Sequence, residues 1–217
     1  MYQKYVKRWL DFILSLIGLI LLSPLFLFLI TLIKLDSEGP ILFRQKRIGI
    51  HKTYFYILKF RTMHSNTPTD IPTHLLKEPK QYITRIGYFL RKTSLDELPQ
   101  IINILKGDMA IVGPRPALWN QYDLITERDK YKANDILPGL TGWAQINGRD
   151  ELEIPLKARL DGYYVSNMSF LFDVKCFVGT LLKVIRCEGI VEGGTGEMKK
   201  QRKTREITDE KNINNWN

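Results

Sequence analysis

"TSLDELPQIINILKGDMAIVGPRP", Thr93 to Pro116, is the stretch whose reading decides the fold. Leu98, Ile101, Ile102 and Leu105 recur at helical spacing, so the pattern predicts a helix over 96–105. Gly107 ends it. The start is less simple. Ser94 and Glu97 match a capping box, but Pro99 argues against that register, because there it would cost an intrahelical bond. With Asp96 as the cap, Pro99 falls at the third helical position, where its missing N–H is no loss. Capping alone would therefore account for Asp96. The stretch closes on Arg115, held between Pro114 and Pro116.

Upstream, "FILSLIGLILLSPLFLFLITLI" (Phe12–Ile33) contains no charged residue. At about 1.5 Å per residue it can cross a hydrocarbon core of roughly 30 Å. It is too long for a signal peptide, and no small-x-small cleavage site follows it. Ser23-Pro24 stands in its middle. Proline kinks a helix, and a neighbouring serine hydroxyl can serve the freed carbonyls. Lys4, Lys7 and Arg8 precede the segment, and Lys34, Arg44, Lys46 and Arg47 follow it. The positive-inside rule wants both flanks in the cytoplasm. A kinked spanning helix and a re-entrant helix returning to one face both remain open on these features.

Downstream the composition is globular. "GPILFRQKRIG" reads as a short strand followed by a basic turn and "TYFYILKFRTM" as a second strand, able to pair as a hairpin across Gly49 to Lys52, although the turn chemistry is a weak match. The segment 66–79 carries three prolines and reads as a loop. Helices are expected over 82–91, 121–132 and 154–165, the last with Pro155 in its first turn. "FLFDVKCFVGTLLKVIRC" is amphipathic, suited to the core or to the lipid headgroup region, with the interface favoured. The polar stretch 191–217 is expected to be disordered. The fold class is thus mixed α/β and helix-rich: a membrane-embedded helix over 1–35, a compact cytosolic domain with a small strand pair and interfacial amphipathic helices over 36–190, and a tail over 191–217.

The 217 residues carry a formal charge of +9, 32 basic against 23 acidic. This excess points to an anionic partner: nucleic acid, a phosphorylated substrate or an acidic membrane surface. Cys176 and Cys187 are too few for a disulfide framework and read as buried reduced thiols. The three histidines form no metal-binding spacing. An ionised carboxylate at a helix start can bind Mg²⁺ or attack phosphorus. Phosphoryl chemistry also needs cations around the transferring group. The sequence offers Lys59, Arg61, Arg91, Arg115 and Arg149. Arginine's planar fork suits phosphate, and Pro114 and Pro116 stiffen the backbone around Arg115.

"LKFRTM" (58–63), "LRKTSLDELPQIINILKGDMAIVGPRP" (90–116), "PGLTGWAQINGR" (138–149) and "LDGYYVSNMSFLFDVK" (160–175) together resemble the bacterial sugar transferases, the small monotopic phosphoglycosyl transferases. Thr62, Ala110 and Asp150 depart from residues frequent in that family, and none touches the acid pair. The resemblance implies a re-entrant helix hinged at Ser23 and Pro24, on the cytoplasmic face of the bacterial inner membrane. It implies a UDP-sugar donor, a polyprenyl (undecaprenyl) phosphate acceptor and release of UMP. Asp96 would be the nucleophile and the Mg²⁺ ligand, and Glu97 its assistant in proton handling or orientation. Arg91 and Arg115, with Pro114, would lie near the donor phosphates; Lys59, Arg61 and Arg149 would be further phosphate-binding or structural residues. The product would initiate exopolysaccharide, capsule or glycoprotein glycan assembly. The partners would be donor, acceptor and anionic inner-membrane lipid. No segment resembles a nucleic-acid module, so no nucleic acid is expected.

Overall fold

A computed structural model describes residues 2–65, 67, 81–148 and 152–185. The expected loop over 66–79 falls, apart from Thr67, outside the described residues, as do Arg149, Cys187 and the tail over 191–217.

The apolar N-terminal run forms one helix, α1 (Lys7–Asp36), entered from a π-helical turn at Tyr2–Val6. It is long and apolar enough to cross a membrane. Pro24 has no N–H for the Ile20 carbonyl four residues back. Ser23 Oγ donates to that carbonyl instead, at 2.8 Å, so the Ser-Pro pair repairs the bond it breaks. Along α1, Leu16, Ile17, Ile20, Leu21, Leu27 and Phe28 are exposed. Both ends are not. At the start, Lys7 Nζ donates to Asp173 at 2.6 Å, Arg8 donates to the Ile104 carbonyl at 2.7 Å, and Asp11 accepts from the Ile111 N–H at 3.2 Å. At the finish, Leu29 and Ile33 are buried against Phe60 and Leu90, and Asp36 accepts from the Ile86 N–H at 3.0 Å.

β1 (Leu42–Ile48) and β2 (Tyr54–Phe60) pair antiparallel, as the alternation predicted, with Leu42 opposite Phe60 and Ile48 opposite Tyr54. Their turn was hard to read because His51 and Lys52 adopt left-handed φ of 51° and 59° without glycine. Context holds them: the His51 N–H donates to the Asn134 carbonyl, and Lys52 pairs with Asp129 at 3.0 Å. α2 (Arg85–Thr93) starts three residues later than expected because Thr84 caps it, its Oγ1 accepting from the Gly87 N–H.

After α3 (Gln100–Lys106), which Gly107 terminates at φ 97°, the chain forms β3 (Ala110–Val112). α4 (Tyr122–Asp129) follows, then β4 (Gly139–Thr141), which pairs parallel with β3. This second strand pair was missed; three-residue strands carry no usable alternation. α5 (Trp143–Ile146), α6 (Ile154–Ser166, with Pro155 in its first turn) and α7 (Phe170–Ile185) complete the described chain. The core lies between these elements. Phe55, Ile57, Ile104 and Met109 join the hairpin to α3, and Val112, Tyr164 and Cys176 join β3 to α6 and α7. α7 is two-sided: Asp173 and Cys176 are buried, while Leu171, Phe177, Val178, Leu181 and Leu182 are exposed.

Candidate active site

Asp96 and Glu97 do not open a regular helix. They sit in a 3-10 turn, Leu95–Glu97, reached through Ser94 at φ 57°. The Glu97 N–H donates to the Ser94 carbonyl and the Leu98 N–H to the Leu95 carbonyl. Neither Ser94 nor Asp96 provides a side-chain cap, and α3 begins only after Pro99. The capping account of Asp96 is therefore overturned: proline at 99 excludes an N–H from the first turn, and tight i to i+3 bonds take its place. Leu95 and Leu98, on either side of the acids, pack against the cluster built on Leu29, Ile33, Phe60 and Leu90. Apolar anchoring holds the turn, not capping.

Lys59 comes from β2 and stands between the acids, its Nζ 2.7 Å from Glu97 Oε1 and 3.8 Å from Asp96 Oδ2. Arg115 donates to both oxygens of Glu97, from Nη2 at 2.6 Å and Nη1 at 3.2 Å. Hydrogen bonds on two sides, three from backbone N–H groups and one from the Arg47 guanidinium, fix the loop carrying it. On one side the Gly113 N–H donates to the Thr141 carbonyl and the Gly139 N–H to the Pro114 carbonyl. On the other, the Ile48 N–H donates to the Ala117 carbonyl and Arg47 to the Pro116 carbonyl. A side chain at Gly113 would collide with Gly139, so the β3–β4 contact requires glycine there. Arg91 lies on α2 and acts on Asp96 through its charge.

The electrostatics separate the two acids. Burial pushes the Asp96 carboxyl up; Lys59 pulls it down, Glu97 raises it further, and Arg91 and Arg115 oppose that rise. The net direction is upward. Burial alone would raise Glu97 too, but Arg115 and Lys59 outweigh it and hold Glu97 well below the ordinary glutamate value. Glu97 is thus the firmly ionised partner of two cations. That disfavours the expected proton-handling role and favours orientation.

Of the remaining predicted residues, Arg61 is buried away from the acids. It donates from Nη1 to the Glu38 carbonyl at 2.7 Å, and from Nη2 to the Ser37 carbonyl at 2.6 Å and Ser37 Oγ at 2.9 Å. These partners lie at the end of α1, so its role here is structural. Pro114 is buried, in the loop of Arg115. Ser23 and Pro24 lie mid-α1, apart from the cluster. Sequence reasoning missed Asn103. Its buried amide accepts from the Leu58 N–H at 2.9 Å and donates to the Tyr56 carbonyl at 2.8 Å, completing the open edge of β2. That fixes the register between α3 and the strand bearing Lys59. The sequence carried no clue: the apolar face read from Leu98, Ile101, Ile102 and Leu105 points elsewhere, whereas the buried side of α3 is Gln100, Ile101, Asn103 and Ile104.

Magnesium takes oxygen ligands and keeps several waters, with one or two carboxylates and substrate phosphates completing its shell. Among the described residues no three potential ligand side chains cluster. Both Glu97 oxygens are engaged by cations, which leaves Asp96 as the carboxylate to offer. The donor set fits a Mg²⁺ carried on a diphosphate and steadied by Asp96, not an all-protein cage.

Comparison with known proteins gives the chain its family. The chain is 40% identical over 185 residues to the uncharacterized sugar transferase EpsL of Bacillus subtilis (strain 168), covering 85% of this chain and 90% of that protein. It is 36% identical to the exopolysaccharide production protein ExoY of Sinorhizobium fredii, covering 84% and 87%. It is also 38% identical to the UDP-glucose:undecaprenyl-phosphate glucose-1-phosphate transferase of Escherichia coli (strain K12), over 83% of this chain but only 40% of that longer protein. The family model described as bacterial sugar transferase matches residues 2–187, a span that takes in α1, the acid turn and the Arg115 loop, and the chain belongs to that family.

Proposed function

We propose that the protein transfers a phosphosugar from a UDP-sugar to undecaprenyl phosphate and releases UMP, as an early step of surface glycan assembly. The observation that carries this reading is the Asp96–Glu97 pair set among Lys59, Arg91 and Arg115 beside an apolar helix. The relatives support it: their names include phosphosugar transferases acting on undecaprenyl phosphate and exopolysaccharide production proteins.

In the first step an Asp96 carboxylate oxygen attacks the sugar-linked phosphorus. A P–O bond forms, the bond to the bridging oxygen breaks, and UMP leaves with that electron pair. In the second step a phosphate oxygen of the acceptor attacks the same phosphorus. Asp96 departs as a carboxylate, and the lipid-linked diphosphosugar is complete. Both attacking groups enter as anions, so no proton transfer is required. Charge on the transferring group is met by Lys59 and by Arg115, which Glu97 presents in a fixed orientation. Bound Mg²⁺ would add charge neutralisation on the donor diphosphate. Asp96 would hold it from the protein side.

The acceptor is a lipid, so the cluster must sit near headgroup level. A re-entrant α1 on the cytoplasmic face provides that. A straight helix would hold Arg8 and Leu29 about 31 Å apart at 1.5 Å per residue. Their docking partners, the Ile104 carbonyl and the cluster containing Leu98, are only six residues apart, about 9 Å along a helix. A bend at Ser23-Pro24 reconciles these spacings. The exposed apolar face of α7 would lie on the same membrane surface, with basic residues meeting anionic lipid.

The test is UMP release by the detergent-solubilised protein from a panel of UDP-sugars with Mg²⁺ and undecaprenyl phosphate. We expect UMP with one donor, coupled to a lipid-linked product and absent in Asp96→Asn. UDP in place of UMP would mean ordinary glycosyl transfer and would overturn the reading.

A further inference from the structure

Three consecutive residues at the end of β2 face three different tasks. Lys59 contacts both acids. Phe60 is buried against Leu29 and Ile33 of α1, in the cluster that also receives Leu95 and Leu98. Arg61 is 5% exposed and grips the end of α1. Besides Ser37 and Glu38, its guanidinium reaches the Ile33 carbonyl at 3.5 Å. No carboxylate is among these partners; the group is held by backbone carbonyls at and just beyond the end of α1 and by the Ser37 hydroxyl, where the helix dipole favours a cation. The chain is shaped around it. Gly39 stands at φ 121°, and a Cβ there would fall on Arg61 Nη1. The Arg61 N–H donates to the Ile41 carbonyl, closing the loop from α1 into β1.

We propose that Arg61 is a positioning residue for the acid–lysine cluster: it latches the strand bearing Lys59 to the exit of the apolar helix, so that the seating of α1 fixes where Lys59 stands against Asp96 and Glu97. Two attachments converge on the same end of α1. Lys59 arrives through Phe60 and Arg61, and the acids arrive through Leu95 and Leu98. The helix is thereby part of the frame of the active site as well as its anchor. Arg61 itself is too buried to meet a substrate phosphate, and both its Nη atoms are engaged at the end of α1.

The experiment compares wild type with Arg61→Met, Arg61→Lys and Gly39→Ala in lipid nanodiscs. Gly39→Ala leaves every charge in place and crowds the guanidinium, together with Ser65 Oγ and the backbone itself at φ 121°. Two readouts are taken. The first is steady-state UMP release, which rests on the phosphosugar-transfer reading. The second does not: the carbon-13 methyl resonance of reductively methylated Lys59, assigned by its loss in Lys59→Arg. We expect kcat to fall roughly 10- to 100-fold in Arg61→Met and Gly39→Ala, with KM for the donor within about threefold. The Lys59 resonance should move in both, and Arg61→Lys should recover part of each effect. Activity lost only in proportion to unfolded protein, with the Lys59 resonance unmoved in the folded fraction, would reduce Arg61 to a stabilising contact and overturn the proposal. Wild-type kcat in both variants would also overturn it. If the wild type releases no UMP, the transfer reading fails, while the resonance still decides the latch.

Discussion

Replacing each acid by its amide should have opposite consequences for stability, because the two carboxylates hold different partners. Glu97 accepts from Lys59 at 2.7 Å and from Arg115 at 2.6 and 3.2 Å, and the three side chains are only 13–20% exposed. Glu97→Gln leaves two cations facing an uncharged amide in a largely dry site. Breaking a fully buried pair costs about 3–5 kcal/mol; with the exposure seen here we expect about 2–3 kcal/mol, part of the penalty being screened. For a chain of this size that lowers the melting temperature by about 4–12 °C. Asp96 makes one longer contact, 3.8 Å to Lys59, and lies beside a like charge. Asp96→Asn relieves that repulsion, so we expect a melting temperature equal to wild type or slightly above it. The pH dependence carries a sign as well. Glu97 is held below its ordinary value when folded, so its stabilisation is complete above the ordinary glutamate pKa of about 4.3 and is lost as pH falls through the depressed folded value. The gap between wild type and Glu97→Gln should therefore be constant from pH 7 to 5 and close on acidification below that. Thermal melts of both variants in one detergent across this range provide the measurement. A Glu97→Gln protein melting with wild type, or an Asp96→Asn protein melting far below it, would refute this division of roles.

Asn103→Leu would strand the Leu58 N–H and the Tyr56 carbonyl in the core; at about 1–3 kcal/mol for each unmet group, a loss of about 2–6 kcal/mol in a thermal melt is expected, with UMP release falling in the protein that stays folded. A Leu that melts like wild type would show that α3 takes its register from elsewhere. Cys176 is buried and its thiol is pushed up to about 12, first by burial and then by Asp173. In a Cys187→Ser background it should resist maleimide at pH 7.5 until the protein is denatured, and rapid labelling of the native protein would contradict the packing of α7. Single cysteines at Lys4 and Leu35 should be reached by an impermeant thiol reagent from the same side of a sealed vesicle; opposite sides would refute the re-entrant helix.

The parts legible in the sequence are those in which one residue pattern had one physical meaning. An unbroken apolar run gave α1, and alternation in "TYFYILKF" gave β2. Gly107 and Pro155 marked a helix end and a helix start. The acids and the cations around them were also legible as types, since phosphoryl chemistry needs both. What stayed hidden was partnership. Nothing in the order of residues says that Arg115 turns its fork on Glu97, that Arg61 turns away from the site to the end of α1, or that Asn103 completes a strand edge. Each of these joins segments far apart in the chain, and each is decided by which carbonyl or carboxylate lies nearby after packing. The capping reading of Asp96 failed for the same reason: local hydrogen-bond rules suggested it, and the apolar seat of Leu95 and Leu98 overrode them.

The asymmetry of the acid pair follows from where its cations are anchored. Arg115 rides on a loop fixed on both sides by backbone bonds, so it can give Glu97 two short contacts and keep them. Lys59 rides on a strand end and divides itself between the acids, close to one and distant from the other. Asp96 is left with burial, which raises it, and with charges that act mostly from a distance. A carboxylate saturated by short cation contacts would be a poor nucleophile, because attack would require giving them up. A carboxylate with none would stay protonated in a dry site. Asp96 stands between these limits, and it can do so because Glu97 takes the direct contacts of Arg115. In the proposed mechanism the second acid would serve the chemistry by binding the cations that would otherwise quench the first.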